Sequence, residues 1–171
     1  ARSAQSSGCG PTRISFSGVT MFSRDMLDQA AYVLDLAKAK DIRIVTAETC
    51  TAGLVSSCLT SVPGASRIFE RGFILYHDLA KSTGLGVAEA ISKRHGAVSA
   101  EVTKGLAAGA LSHSTAGVAV AVTGYAGPGG GNEKNPVGTV YVASSRKGSE
   151  TLVERHVFSG DRDTVRMKAV A

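Results

Sequence analysis

The stretch VAVAVTGYAGPGGG, residues 118–131, decides the fold of this chain. Its first five residues form a continuous apolar run, which is typical of a strand buried on both faces of a central sheet. A glycine-rich segment follows at once and is therefore expected at the carboxyl edge of that strand. Its backbone amides can approach an anion closely, as in nests that hold phosphate, although a mobile connecting loop is an equally open interpretation.

Helical and strand-like patterns alternate on both sides of this run. Apolar residues recur at helical spacing from Ser23, which can cap a helix, through Lys40. Because helices interleave with strands and the last two strands resemble a hairpin, the sequence predicts an α/β fold, a three-layer α/β/α sandwich with a mixed sheet. Further helices are predicted near residues 51–60, 78–85 and 99–111 and from Asp163 to Ala171, and further strands near 42–46, 68–76, 137–144 and 151–158.

Length and composition indicate a single domain. The 171 residues are 43% hydrophobic, enough for one core, and no apolar run approaches the length of a bilayer span, so a soluble domain is expected. Residues 1–20 are rich in serine, glycine and arginine and contain no acidic residue. They are interpreted as a flexible N-terminal extension, and residues 21–171 as the domain.

Charge and cysteine content narrow the class of protein. The net charge of +5 is spread along the chain, and aromatic residues make up only 5%, which argues against a nucleic-acid surface and fits a small anionic ligand. DNA binding rests on the net charge alone. Three cysteines without CxxC spacing predict neither disulfides nor a zinc site and favour a reducing cytoplasm. No membrane partner is expected, and a homo-oligomer is left open.

The segment TAETCTAG, residues 46–53, follows a predicted strand and opens a helix. Ligand crevices of α/β sheets lie at such positions. A hydroxyl here is close to free backbone N–H groups and to the positive end of the helix dipole, which favours an alkoxide or oxyanion. The alternative is that Thr49 or Thr51 simply caps the helix.

Two further segments carry candidate groups. In YHDLAK, residues 76–81, a lysine with a lowered pKa can take the proton of a hydroxyl nucleophile and the tyrosine can relay it, unless both are a solvated rim. In GDRDTVR, residues 160–166, Asp161 or Asp163 can cap a helix. Arg162 and Arg166 are one turn apart and suit phosphate or carboxylate, although surface ion pairs are the plainer interpretation.

Taken in order, these segments resemble one family, the CinA C-terminal family. AETCTAG is similar to its AESCTGG signature, and VTGYAGPGGG at residues 122–131 is similar to VTGIAGPGGG. The similarity begins near Met26 and includes VPGAS (62–66), RGF (71–73), HGAVS (95–99) and PVGTV (136–140).

The resemblance implies a nicotinamide-nucleotide amidase, which converts nicotinamide mononucleotide and water to nicotinate mononucleotide and ammonia in pyridine-nucleotide salvage. It implies no metal or redox cofactor. The family's Ser-Tyr-Lys set falls on Thr49, Tyr76 and Lys81, so a threonine stands here where the family has serine. The implied substrate-binding residues are Gly64, Thr123, Gly124 and Arg162. The alternative function is a weakly active or inactive nucleotide-binding regulatory module of the same family.

Overall fold

The computed structural model describes residues 21–171, so the interpretation of residues 1–20 as a flexible extension lies outside the described part of the chain. Helices and strands alternate through most of these residues. In chain order they are α1 (Arg24–Ala39), β1 (Ile44–Glu48), α2 (Leu54–Thr60), β2 (Phe69–Ile74), α3 (Asp78–Leu85), α4 (Glu89–His95), α5 (Ala100–Ser112), β3 (Val118–Gly124), β4 (Thr139–Arg146), β5 (Leu152–Val157) and α6 (Arg162–Lys168).

The five strands form one mixed sheet in the order β2-β1-β3-β4-β5. Strand β1 pairs in parallel with both β2 and β3, whereas β4 is antiparallel to both β3 and β5. Strands β1, β2, β3 and β5 therefore all point the same way. The chain leaves each of them at one edge of the sheet, which is where α/β proteins place ligands.

Helices cover both faces of the sheet, which confirms the predicted three-layer α/β/α architecture. On one face, Ala119 and Ala121 of β3 belong to the same core as Leu106 of α5, and all three are fully buried. On the other face, α1 and α2 pack with Ile44 of β1, and Val165 of α6 packs with the end of β3. Small residues beneath α5 allow the close approach of helix and sheet that a dense core requires.

Several element boundaries differ from the sequence prediction. Helix α4 was not predicted, because it has no buried residue and hence no apolar stripe. Strand β1 runs on to Glu48, which hydropathy alone would place outside a strand. Helix α2 begins at Leu54 rather than near residue 51, since Ala52 and Gly53 adopt φ angles of 49° and 95°. The last helix ends at Lys168, and the prediction that it continues to Ala171 was wrong.

Glu70, on the edge strand β2, ties that edge to the turn before β3. Thr115 donates to its carboxylate through Oγ1 at 2.6 Å and through its backbone N–H at 3.2 Å. The hydroxyl of Thr115 contributes most to lowering the pKa of Glu70 below its ordinary value, and nearby arginine charges add to it. The carboxylate therefore stabilises the fold above its ordinary pKa of about 4.3, and this contribution is lost as the pH falls through the lower native value.

We expect Glu70→Gln to lower the melting temperature at pH 7 by about 3 °C, the equivalent of roughly 1 kcal/mol. The difference should shrink as the pH is lowered from 7 to 3, and thermal unfolding followed by circular dichroism measures both. Glu150→Gln, in the exposed turn between β4 and β5, is the control and should change little at either pH. A pH-independent difference would contradict the assignment.

Candidate active site

A cavity of about 270 Å³ opens at the edge of the sheet where β1, β2 and β3 end and α6 begins. Its walls come from the segments that leave these strands and from the start of α3. The topology therefore gathers side chains that are more than a hundred residues apart in the chain. Its lining includes Thr49, Tyr76, Asp78, Lys81, Gly124 and Arg162.

Five of the seven residues predicted for the site line this cavity: Thr49, Tyr76, Lys81, Gly124 and Arg162. Thr123 does not, because its side chain is fully buried and its hydroxyl is 2.7 Å from that of Thr103 on α5. Gly64 lies elsewhere, in the wall of a separate cavity after α2 that Pro63 and Ser66 also line. The structure thus brings the proposed chemical groups together but separates Gly64 from them.

Thr49 directly continues β1 and starts a tight turn. Its backbone N–H donates to the Val122 carbonyl at 3.0 Å, so the residue is held by the neighbouring strand. Helix α2 has Gly53 as its N-cap, and glycine has no side chain that could accept the free amides of the first turn. The interpretation of Thr49 or Thr51 as the helix cap was therefore wrong, and the Thr49 hydroxyl is not used for capping.

Glu48 takes over the capping role from the end of the strand. Its side chain is fully buried, and its carboxylate accepts the backbone N–H groups of Gly53, Val55 and Ser56 at 2.8 to 3.1 Å. It also accepts the hydroxyls of Thr51 at 2.8 Å and Ser56 at 2.6 Å. These amides are the donors that the start of a helix leaves unpaired. Sequence reasoning missed this role, because hydropathy placed Glu48 outside the strand.

We expect Glu48→Gln to lower the free energy of unfolding by about 3 kcal/mol, because an amide nitrogen would face several buried donors. Urea unfolding measures the loss. Glu154→Gln is the matched control, since that glutamate lies on a strand but its side chain is 76% exposed. A loss of less than about 0.5 kcal/mol, the range of ordinary surface substitutions, would show that Glu48 does not hold the turn.

Lys81 lies in the wall of the cavity with only 4% of its surface exposed. Its Nζ donates to Oδ1 of Asp78 at 2.6 Å and to the Ala97 carbonyl at 3.1 Å. The interpretation of Lys81 as a solvated amine was therefore wrong. Protein atoms therefore hold the amine in the cavity wall through two hydrogen bonds.

Tyr76 stands at the mouth of the cavity and is 61% exposed. Its hydroxyl accepts a hydrogen bond from Nη2 of Arg162, whose Nη1 donates to the Gly127 carbonyl at 2.7 Å. Arg162 is the first residue of α6, which Asp161 caps by accepting the Thr164 N–H at 2.9 Å, as one of the predicted alternatives had it. Arg162 thus joins the tyrosine to the glycine-rich segment.

Cys50 is the other nucleophilic side chain in the wall, with 7% of its surface exposed. Burial raises the pKa of its thiol, and the Thr49 hydroxyl, the N–H groups of Cys50 and Thr51 and the charge of Arg166 oppose that rise only in part. The thiol is therefore protonated at neutral pH and a poor nucleophile. Thr49 is the stronger candidate.

Residues of the loop between α4 and α5 also line the cavity and were given no role by sequence reasoning. They are Ala97, which binds Lys81, and Val98, whose carbonyl accepts the side-chain amide of Asn135 at 3.1 Å. Asn135 is 4% exposed and in turn accepts the hydroxyl of Tyr141 at 3.0 Å. A buried asparagine beside the glycine-rich segment thus anchors this wall. No local pattern predicts that contact.

The fold and the cavity define a class: an α/β domain in which a hydroxyl, a phenol and a buried lysine meet at the carboxyl edge of parallel strands. The sequence profile of the CinA C-terminal domain matches residues 27–171, nearly the whole described chain. The chain belongs to the CinA C-terminal domain family.

Relatives and solved structures agree with this assignment. The chain is 42% identical over 151 residues to nicotinamide-nucleotide amidohydrolase PncC of Escherichia coli K12, covering 88% of this chain and 92% of that protein. It is 49% identical over 138 residues, 81% of its length, to a CinA-like protein of Akkermansia muciniphila, of which it spans only 33%. The crystal structure of competence/damage inducible protein CihA from Agrobacterium tumefaciens superposes with a TM-score of 0.85 at 36% identity, covering 88% of this chain and 92% of that one.

The chain thus spans about a third of the length of the longer curated relatives that it matches. Between residues 21 and 171, the helices are all too short or too polar to cross a bilayer.

Proposed function

We propose that this domain is an amidohydrolase that converts nicotinamide mononucleotide and water to nicotinate mononucleotide and ammonia. One observation carries the proposal: a Thr49 hydroxyl that is not used for capping and a buried Lys81 amine line the same cavity. The name of the Escherichia coli relative, which this chain matches over 92% of that protein's length, supports the choice of substrate.

In the proposed reaction, the Thr49 oxygen attacks the carboxamide carbon while the unprotonated amine of Lys81 takes the hydroxyl proton. The tetrahedral intermediate collapses as Lys81 returns the proton to the departing nitrogen, so ammonia leaves and an ester to Thr49 remains. Water then attacks this ester with the same amine as base, which releases the carboxylate and restores the hydroxyl. We assign Tyr76, at the cavity mouth, to proton relay between this amine and solvent.

Fewer backbone amides are available as oxyanion donors than the sequence suggested. Of the backbone amides at residues 50–53, that of Gly53 donates to Glu48 and that of Ala52 donates to the Thr49 carbonyl at 3.1 Å. This leaves the N–H groups of Cys50 and Thr51, next to the attacked carbon in the proposed complex. Backbone donors held in place in this way stabilise a tetrahedral oxyanion without reorganising.

Substrate binding is assigned to Gly124 and Arg162. A Cβ on Gly124 would lie 2.8 Å from Cγ2 of Val140 and 3.1 Å from Sγ of Cys50. Any larger residue at this position would therefore clash with its neighbours in the cavity wall. The guanidinium of Arg162 places a positive charge at the cavity for the nucleotide phosphate. The buried Thr123 precedes Gly124 and stabilises this wall through the hydrogen bond between its hydroxyl and that of Thr103.

An ammonia-release assay over a panel of amides tests the function. Nicotinamide mononucleotide should be hydrolysed fastest. Free nicotinamide, which lacks the ribose phosphate, should react at least about a hundredfold more slowly in kcat/KM, the equivalent of a few kcal/mol of binding. No ammonia from the mononucleotide, or preference for another amide in the panel, would reject the proposal.

One observation favours a second candidate, a nucleotide-binding module with weak or no turnover. Oδ1 of Asp78 lies 2.6 Å from Nζ of Lys81, and this ion pair engages the amine that the proposed reaction needs as its base. Calorimetric binding of the mononucleotide without any product after long incubation would support this candidate instead of the enzyme.

We expect Asp78→Asn to increase the rate of ammonia release at pH 7 several-fold, because a neutral amide binds the Lys81 amine less strongly than the carboxylate does and leaves it freer to reach the substrate. Steady-state rates between pH 6 and 9 measure the effect. Asp25→Asn is the matched control, since Asp25 occupies the first turn of α1 as Asp78 does that of α3. An unchanged or lower rate for Asp78→Asn would show that the carboxylate positions Lys81 rather than restrains it.

A further inference from the structure

We propose that Arg166 is a positioning residue that holds the turn after Thr49 in its catalytic shape. This inference rests on the proposed amidohydrolase function. Arg166 does not line the cavity, whereas Arg162 does, so it is not placed to touch the substrate. Its guanidinium acts instead on the backbone that carries the nucleophile.

The contacts of Arg166 converge on one short segment. Its Nε donates to the Cys50 carbonyl at 3.0 Å, and its Nη2 donates to the Thr51 carbonyl at 3.2 Å. These are the two residues that follow Thr49. The only charged partner within the described residues is Asp163, at 3.7 Å, and its side chain is 86% exposed, so this ion pair adds little.

By binding the Cys50 carbonyl, Arg166 also orients the N–H group on the opposite side of the same peptide. In a planar trans peptide, the Thr51 N–H points away from the Cys50 carbonyl, and therefore away from Arg166. The Thr51 N–H also acts to lower the pKa of the Cys50 thiol, and Cys50 lines the cavity. Arg166 thus directs one of the two proposed oxyanion donors towards the side of the cavity.

The turn is consequently held from two directions. Glu48 binds the amides at the start of α2, and Arg166 binds the carbonyls that precede them. Between these contacts Ala52 has a φ of 49°, a conformation that costs a non-glycine residue about 1 kcal/mol. Without Arg166, the Cys50 carbonyl loses its donor and the Thr51 carbonyl keeps only the Leu54 N–H at 3.2 Å, so the strained turn is free to relax. A displacement of about 1 Å at the reacting groups can cost roughly a hundredfold in rate.

The test compares Arg166→Met with a matched variant of the same helix. Lys168→Met also removes a cation that donates to a backbone carbonyl, that of Ser159 at 2.9 Å, but this contact lies away from the turn. We expect Arg166→Met to lower kcat for the mononucleotide at least about tenfold with KM within twofold, the signature of a transition-state effect. Lys168→Met should leave both constants unchanged, and Arg166→Lys, which keeps the charge but has a single donor nitrogen, should fall between parent and Arg166→Met.

Hydrogen exchange supplies a second, activity-independent readout. Amides of residues 49–53 should exchange at least about tenfold faster in Arg166→Met than in the parent, as expected for a loss of more than about 1.4 kcal/mol of local stability. Those of α5 should not change. Equal exchange at residues 49–53 overturns the inference whatever the activity. If the parent is active, an equal kcat in Arg166→Met also overturns the inference. If the parent is inactive, the proposed function is rejected, and the exchange result alone tests the role of Arg166.

Discussion

Thr49→Ala is expected to abolish ammonia release from nicotinamide mononucleotide, with a loss of at least about a thousandfold in kcat, because the attacking oxygen is removed. Thr49→Ser should equal or exceed the parent. The γ-methyl group of threonine restricts χ1 and adds bulk beside the attacked carbon, whereas serine presents the same hydroxyl without it. Steady-state ammonia release, with calorimetric affinity for the mononucleotide measured in parallel, separates the chemical step from binding.

Thr83→Ala is the control for the Thr49 variants, since Thr83 is an exposed hydroxyl on α3 that only donates to the Leu79 carbonyl. Full activity in Thr49→Ala would end the assignment of the nucleophile. Tight binding without turnover in the parent and in Thr49→Ser would identify the binding module instead.

Lys81→Met is expected to lower kcat by about a hundredfold to ten-thousandfold, the usual contribution of a general acid–base group. Methionine fills most of the volume of the lysine side chain, and Asp78 is 65% exposed, so its carboxylate remains hydrated and the fold should persist. Added primary amines should restore part of the rate in Lys81→Ala, where the truncation leaves room for them. Single-turnover kinetics show whether the loss lies in the chemical step.

Lys93→Met is the matched control for Lys81→Met. Lys93 is a 78% exposed lysine on α4 that pairs with Glu89 at 3.4 Å, so its loss removes an equal charge outside the site. Comparable losses in the two variants, or normal kcat in Lys81→Met with an intact fold, would show that Lys81 is not the base.

Local sequence patterns predicted most of the fold. The apolar run at Val118–Val122 became a central strand, and Ser23 and Asp161 cap α1 and α6 as their positions indicated. Each of these features depends on residues within one turn or one strand of each other. The mixed sheet followed from the alternation of helices with strands and from the final hairpin.

Local sequence patterns predicted only part of the site. Thr49 follows β1, whereas Tyr76 and Lys81 on α3 both follow β2, so their convergence at one edge follows from the topology. The roles of Glu48 and Arg166 did not follow. Glu48 lies in a strand, where no local rule assigns a capping carboxylate, and Arg166 reaches carbonyls 115 and 116 residues away.

By itself, then, the sequence determined the layers of this protein, the mixed character of its sheet and the edge at which the candidate hydroxyl and amine lie. These depend on hydrophobic period and chain order, which are properties of neighbouring residues. The tertiary structure alone decided which polar groups are already satisfied: the amides taken by Glu48, the carbonyls held by Arg166 and the amine bound to Asp78. A hydrogen bond depends on distances of about 3 Å in space, and separation along the chain does not encode them.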